Sequence, residues 1–269
     1  MSAEAFTNAG SRALRRSGEL RRLTDIVALP VGFILVCLVA LEVFARALAI
    51  PEVLLPAPSR VATALVGNLA TLGYHGSLTI LNVLVALFVS LTIGVMIAIV
   101  FTLSRVIDAM FAPIFVVLQI VPKIALAPLF VVWCGPGVLS HITFAVGLSF
   151  FPILAGARAG FEETSAEAVR LCNALRASRL QTLFHVKLPM ALLQLFVGAK
   201  VSTTLCIIGV VLGEFVSARA GIGWYIVQAA ALSQTANILA ALIVLSVFGL
   251  VVYGLVAAGE MMVRRRMFG

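Results

Sequence analysis

Six stretches of this 269-residue chain stay apolar for about the length a helix needs to cross a bilayer. A hydrocarbon core of about 30 Å takes roughly 20 helical residues. The runs are Ile26–Leu48, Leu78–Leu103, Met110–Val132, Leu139–Ala157, Leu192–Phe215 and Ile238–Ala258. In lipid a segment must pair its own backbone N–H and C=O groups, which leaves helices or a closed barrel. The short alternating strands of a barrel do not occur in the sequence. The runs therefore predict an all-α, polytopic membrane protein with six transmembrane helices. Composition agrees: 62% of residues are hydrophobic and 11% charged, against about half and about a quarter in a soluble domain. An ordinary soluble domain and a disordered chain are both excluded.

The first run follows a basic segment, and Ala45-Arg46-Ala47 resembles a signal-peptide cleavage site. The run outlasts the roughly 7–15 apolar residues of a signal core, so it reads as a true first span. The net charge of +8 then reports topology. With both termini in the cytoplasm, the inner segments hold Arg12, Arg15, Arg16, Arg21, Arg22, Arg105, Arg158, Arg170, Arg176, Arg179, Lys187, Arg264, Arg265 and Arg266. The outer side holds only Arg46, Arg60 and Arg219, which satisfies the positive-inside rule. No nucleic-acid partner is needed to explain the charge. The organisation is a basic segment over 1–25, a six-helix membrane domain over 26–262 and a basic tail over 263–269. Within the first of these, Ser11–Leu23 interleaves arginine with leucine. It fits either a helix on the inner leaflet or a solvated topology signal.

Metal and disulfide chemistry find no support. Cys37, Cys134, Cys172 and Cys206 form no CxxC pair, and His75, His141 and His185 are equally scattered.

Three connections exceed a tight turn, at about 49–77, 158–190 and 216–237. The middle one is the most informative. Thr164 and Glu167 fit a capping box, and Ala168, Leu171, Ala174 and Leu175 follow at helical spacing. Ser178 can cap a second short helix before Pro189 breaks the chain ahead of the fifth span. A short amphipathic helix between spans either packs on its own bundle or offers an apolar face to a groove on another protein.

Charged residues inside spans are the other candidates, since charge at mid-membrane costs about 2.5–3.5 kcal/mol on insertion scales. Glu42 and Glu214 lie near outer ends. Lys200 lies close enough to the inner end to snorkel. Lys123 falls mid-span between Pro122 and Pro128, where proline kinks a helix. A kinked third span bearing a lysine predicts a pathway lining, with a pairing to Glu214 or another carboxylate as the competing role. Met96, Met110, Phe115, Phe150 and Phe151 read as packing residues.

The middle connection resembles the "EAA" loop of permease subunits in bacterial ATP-binding-cassette importers, whose pattern runs Glu-Ala-Ala, three residues, Gly, nine residues, Ile, one residue, Leu-Pro. Leu188-Pro189 match its end and Val186 stands at the isoleucine. That register puts Arg176 at the glycine, with Ala177-Ser178-Arg179 following. Anchoring on Glu167-Ala168 instead puts Asn173 there and makes the spacing too long. The glycine is missing in either register. Leu55-Pro-Ala-Pro-Ser-Arg-Val61, Val121–Gly135, Phe150-Phe-Pro-Ile153, Val211-Leu-Gly-Glu214 and Gly221-Ile-Gly-Trp224 are similar, in order, to signatures of the nitrate, sulfonate and taurine importer group.

The resemblance implies a type I importer permease fold and the translocation pathway for a small anionic, sulfonate- or nitrate-like solute. It implies two separate ATPase subunits binding ATP with magnesium, a second permease copy as a homodimer, an extracytoplasmic binding protein, and the bacterial inner membrane as location. The chain itself has no Gly-x-x-x-x-Gly-Lys-Ser/Thr loop, so it is expected to be no enzyme and to bind no cofactor. The implied ATPase-coupling residues are Thr164, Glu167, Ala168, Leu171, Leu175, Arg176, Ala177, Ser178, Leu188 and Pro189. The pathway candidates are Pro122, Lys123, Pro128, Lys200 and Glu214. The alternative reading is a stand-alone secondary transporter or channel, which would favour buried carboxylate relays and inverted repeats. A membrane enzyme would need ligands or a nucleophile–base set at one depth.

Overall fold

The computed structural model describes residues 28–268; the basic segment over 1–25 and the first residues of the first span lie outside them. The described chain is helical, with no strand. The described residues divide into two compact units, one ending at Ala64 and the other beginning at Leu65.

In the first unit, α1 (Ala28–Ala47) is one of the membrane-length apolar helices. Its last turn carries a polar lock. Glu42 pairs with Arg46 one turn on, accepts from the Ser59 amide at 2.9 Å and from the Ser59 hydroxyl at 2.7 Å. Glu42 thus satisfies the orphan N–H groups at the start of α2 (Pro58–Gly67). A second pair, Arg60–Glu52 at 3.0 Å, closes the connection.

The second unit holds the other spans. These are α3 (Leu69–Leu103), the pair α4 (Arg105–Ile120) and α5 (Ala127–Cys134), α6 (Val138–Glu162), α9 (Leu188–Ser217) and α11 (Thr235–Phe268). Short helices α7 (Ala166–Ala174), α8 (Arg179–Thr182) and α10 (Ile222–Ala231) lie in the connections. Four spans differ from the sequence reading. The second begins at Leu69, not Leu78, because Asn68–Ser77 contains nothing that stops a helix and His75 is buried rather than solvated. The third is two helices bent by 87° at Val121–Pro122, so the expected kink is a full break. The fifth is not preceded by a break at Pro189. Proline sits in the first turn of α9, where its missing N–H is no loss, and a π turn over Leu183–Lys187 joins α8 to α9. Arg179–Ser217 is therefore one 39-residue span. The sixth extends past Ala258 through the arginines at 264–266, which suit a helix C-terminus.

The centre of the second unit is the antiparallel pair α6 and α9, with α3 packed across both. Lipid supplies no hydrophobic drive between helices, so close association depends on small residues. Gly156 and Gly160 of α6, and Gly198, Gly209 and Gly213 of α9, supply them. A Cβ on Gly160 would stand 2.6 Å from the Ala191 Cα, and one on Gly209 2.6 Å from the Ala145 Cα. Serines complete the seam: Ser90 of α3 and Ser149 of α6 share a hydrogen bond of 2.6 Å, and Ser202 of α9 donates to the Ser149 carbonyl at 2.5 Å.

Gly160→Val should lower stability by about 1–3 kcal/mol through overpacking. Gly254→Ala, where a Cβ meets nothing within 4 Å, should raise it by about 0.5–1 kcal/mol. Thermal unfolding in detergent distinguishes the two.

Candidate functional site

The connection between α6 and α9 is fixed at both ends and bare in the middle. Ser165 caps α7, its side chain accepting from the Ala168 amide at 3.1 Å. The expected cap, Thr164, is one residue too early. Thr164 is buried and its hydroxyl has no partner. Glu167 lies in the first turn, where a carboxylate favours the helix dipole, but it makes no capping box.

The other end of α7 resolves the two registers. Arg176 has φ 54°. Its amide donates to the Asn173 carbonyl at 3.0 Å, and the Ala177 amide donates to Cys172 at 2.9 Å. This is a Schellman closure with arginine at the left-handed position usually held by glycine. The register that places Arg176 at the motif glycine is therefore the one that the backbone follows. Ser178 then caps α8 reciprocally with Gln181: the Gln181 amide donates to the Ser178 hydroxyl at 3.2 Å, and the Ser178 amide donates to Gln181 Oε1 at 2.7 Å.

Anchors hold this segment to the bundle. Leu183 and Phe161 join a core with Ala98, Phe101, Leu154, Ala157 and Ala191. Arg179 donates to the Leu103 carbonyl at 3.3 Å. Arg158 bridges Asp108 at 2.9 Å and Glu162 at 3.0 Å, so it binds α4 to α6 as well as marking topology. Glu163 accepts from Gln194. Against this fixed frame Leu171 is 62% and Leu175 73% exposed. Leu188 and Pro189 open α9 and take no part in that face.

The pathway candidates separate. Glu214 is 1% exposed. It accepts from the Thr79 hydroxyl at 2.9 Å and the Gly223 amide at 2.8 Å. The Ile222 amide donates to Thr79 at 2.8 Å, and the Gly221 amide to His75 Nδ1 at 3.1 Å. Together these groups tie the turn between α9 and α10 to α3. The spacing Gly221-Ile-Gly223 follows from it: Gly221 has φ 118° and, like Gly223, lies against the Glu214 side chain, which leaves no room for a Cβ.

Lys200 pairs with Glu260 of α11 at 2.7 Å instead of snorkelling. Lys123 does not pair with Glu214. It opens the 3-10 turn Lys123–Leu126 at the broken span, donates to the Gln119 carbonyl at 3.2 Å and stands 4.9 Å from the Phe151 ring centroid. Pro122 is exposed beside it, and Pro128 sits in the first turn of α5, where it starts that helix.

Sequence reasoning missed Glu260, Asp108, His75 and Thr79. The i,i+4 pair Arg158–Glu162 was legible; the others meet only through tertiary packing. No cluster of three or more metal-ligating side chains occurs among the described residues.

A broken mid-membrane helix, a buried polar node at one end of the bundle and an exposed amphipathic helix at the other define a multi-span membrane transport component. Residues 90–265 match the family described as the binding-protein-dependent transport system inner membrane component. A probable ABC transporter permease protein of Haemophilus influenzae is 32% identical over 203 residues, covering 76% of this chain and 83% of that one. The taurine transport system permease protein of Escherichia coli is 28% identical over 232 residues, covering 84% of each. The formylaminopyrimidine transport permease protein of Halalkalibacterium halodurans is 26% identical over 222 residues, covering 82% and 88%. The fold matches that of an amino acid ABC transporter crystal structure with a TM-score of 0.58 at 13% identity, over 75% of this chain and 96% of that one. The chain belongs to the permease family of binding-protein-dependent ABC importers. It is a multi-pass protein of the cytoplasmic membrane with the type I permease fold. The stand-alone carrier reading is not supported.

A left-handed arginine costs about 1–2 kcal/mol, while glycine costs about 0.5–1 kcal/mol in unfolded-chain entropy. Arg176→Gly should therefore be neutral to stabilising by up to about 1.5 kcal/mol in thermal unfolding, and Arg176→Val clearly destabilising. Glu214→Ala strands the Gly223 amide and the Thr79 hydroxyl and should cost about 2 kcal/mol or more; Glu214→Gln, which keeps an acceptor, should cost less. Denaturation in detergent reads both.

Proposed function

We propose that this chain and a second copy of itself form the translocation pathway for a small anionic solute, driven by two separate ATPase subunits through α7. The observation that carries this reading is the pair Leu171 and Leu175, held exposed on a helix whose flanks are locked to the bundle. A helix that merely packed on its own protein would bury that pair. Glu167, Arg170 and Arg176 rim the apolar face, which suits an apolar cleft with charged edges on the ATPase. Residues Thr164 to Ser178, with Ala168 and Ala177 inside the fold of the loop, make up this coupling element, and Leu188-Pro189 connect it to α9. ATP and magnesium are held by the ATPases.

Both termini face the cytoplasm by the distribution of arginine and lysine. The basic segment 1–25 and the tail 263–269 then flank the membrane domain on that side, and a binding protein delivers solute to the other. The two-fold arrangement places the pathway between permease copies. A solute bearing an oxyanion group is supported by relatives named for taurine, aliphatic sulfonates and bicarbonate.

Leu171→Asp combined with Glu167→Arg should abolish co-purification of the ATPase and binding-protein-dependent ATP hydrolysis. Both side chains are exposed, so apart from the loss of the Glu167 contribution to the α7 dipole, about 0.3–1 kcal/mol, the thermal unfolding temperature should change little. Retention of the ATPase by this double variant would rule out the docking role of α7.

A further inference from the structure

We propose that Lys123 reads the solute, binding an oxyanion such as a sulfonate or nitrate group at the break between α4 and α5. This rests on the importer reading above and assigns a chemistry to one place in its pathway.

Away from the helix ends, the charged side chains of the spans in the second unit are otherwise matched. Lys200 has Glu260. Arg158 has Asp108 and Glu162. Glu214 is enclosed by Thr79 and the Gly223 amide. Lys123 has no carboxylate within ion-pair distance among the described residues. Its ammonium rests over the Phe151 ring, 4.9 Å from the centroid, and gives one hydrogen bond to the Gln119 carbonyl. Phe151 lies near the midpoint of α6 (Val138–Glu162), so this charge sits at mid-membrane depth. An ammonium there is retained only with a partner or a task. A ring face and one carbonyl satisfy it in part and leave two of its three donors unused.

The backbone points the same way. The 87° bend interrupts helical pairing at Val121–Pro122. Interrupted backbone at that depth is stable only inside protein or against a water-filled cavity, and discontinuous helices are how carriers build sites at the midplane. Ile120, Pro122 and Ile124 around the break are exposed on the chain. The rings of Phe115, Phe150 and Phe151, with centroids 4.0–6.2 Å apart, wall the other side. A ring quadrupole attracts an ammonium less than a full negative charge does. An oxyanion arriving at the break draws Lys123 off Phe151 and takes its free donors, and its departure returns the ammonium to the ring.

The test uses the whole complex, with its ATPase and binding protein, in proteoliposomes. Uptake of labelled taurine, nitrate and a neutral aminopyrimidine is measured at saturating binding protein. Lys123→Gln should reduce anion uptake about tenfold or more, the value of a hydrogen bond to a charged group. Lys123→Arg should retain it within about threefold, since it keeps the charge. Removing a charge from mid-membrane eases insertion, so Lys123→Gln is expected to hold its ATPase; if it does not, Lys123→Met is measured instead. Unchanged anion uptake by the neutral variant overturns the proposal. So does a wild type that imports only the aminopyrimidine, which also ends the anionic-solute part of the proposed function but leaves the ATPase-driven permease reading intact. Failure of both neutral variants to assemble would make Lys123 a structural cap of α4 and end the proposal. A wild type that binds no ATPase would bring down the importer reading instead.

Discussion

The close contact between α6 and α9 supports everything else in the second unit. Two helices in lipid gain nothing from hiding apolar surface, because lipid is as apolar as they are. What holds them is atomic contact at distances only glycine permits, as at Gly160 over Ala191 and Gly209 over Ala145. That contact runs the length of both helices. At one end Gly213 lies against His141, next to the Glu214 node; at the other Gly160 lies against Ala191, next to the loop. The exposed α7 and the tied turn before α10 are therefore mounted on the same two-helix plate.

The division of labour among charged residues follows from the same frame. Where helices pack tightly, ionisable groups are paired or enclosed, as with Lys200 and Glu260 or Arg158 and Asp108. Where a helix breaks, at Val121–Pro122, a charge is left with an aromatic ring for company. Outside the membrane, arginine stands exposed in a backbone conformation that costs it stability. Among the described spans, charge is thus tightly held where helices pack and loosely held at the break and in the connection.

Much of the fold was legible because membrane spans advertise themselves. Twenty apolar residues in succession leave little choice of structure, and the position of Ser178 and the spacing of Leu171 and Leu175 located the loop helices. The ends of spans were less legible. His75 reads as an outer-loop residue, yet a tertiary acceptor role for the Gly221 amide keeps it inside α3. Pro189 reads as a stop and is a start, since its effect depends on which turn of the helix it occupies. Within the site, Arg176 could be placed at the glycine position by counting alone, but its left-handed φ could not. For Glu214 and Lys200 a single sequence shows a charge inside a span without showing Thr79, the Gly223 amide and Glu260, which hold them.

The π turn at Leu183–Lys187 has a geometric consequence. It joins α8 to α9 without a break, so Arg179–Ser217 is one continuous helical segment of 39 residues, about 58 Å along its axis at 1.5 Å per residue. One end is bolted to the loop by the Ser178 cap, and the other holds the Gly223 amide through Glu214. The glycines along it give no bend, because each is pressed against α6. The loop that carries α7 and the turn that carries Gly221 and Gly223 are thus the two ends of a single helical segment.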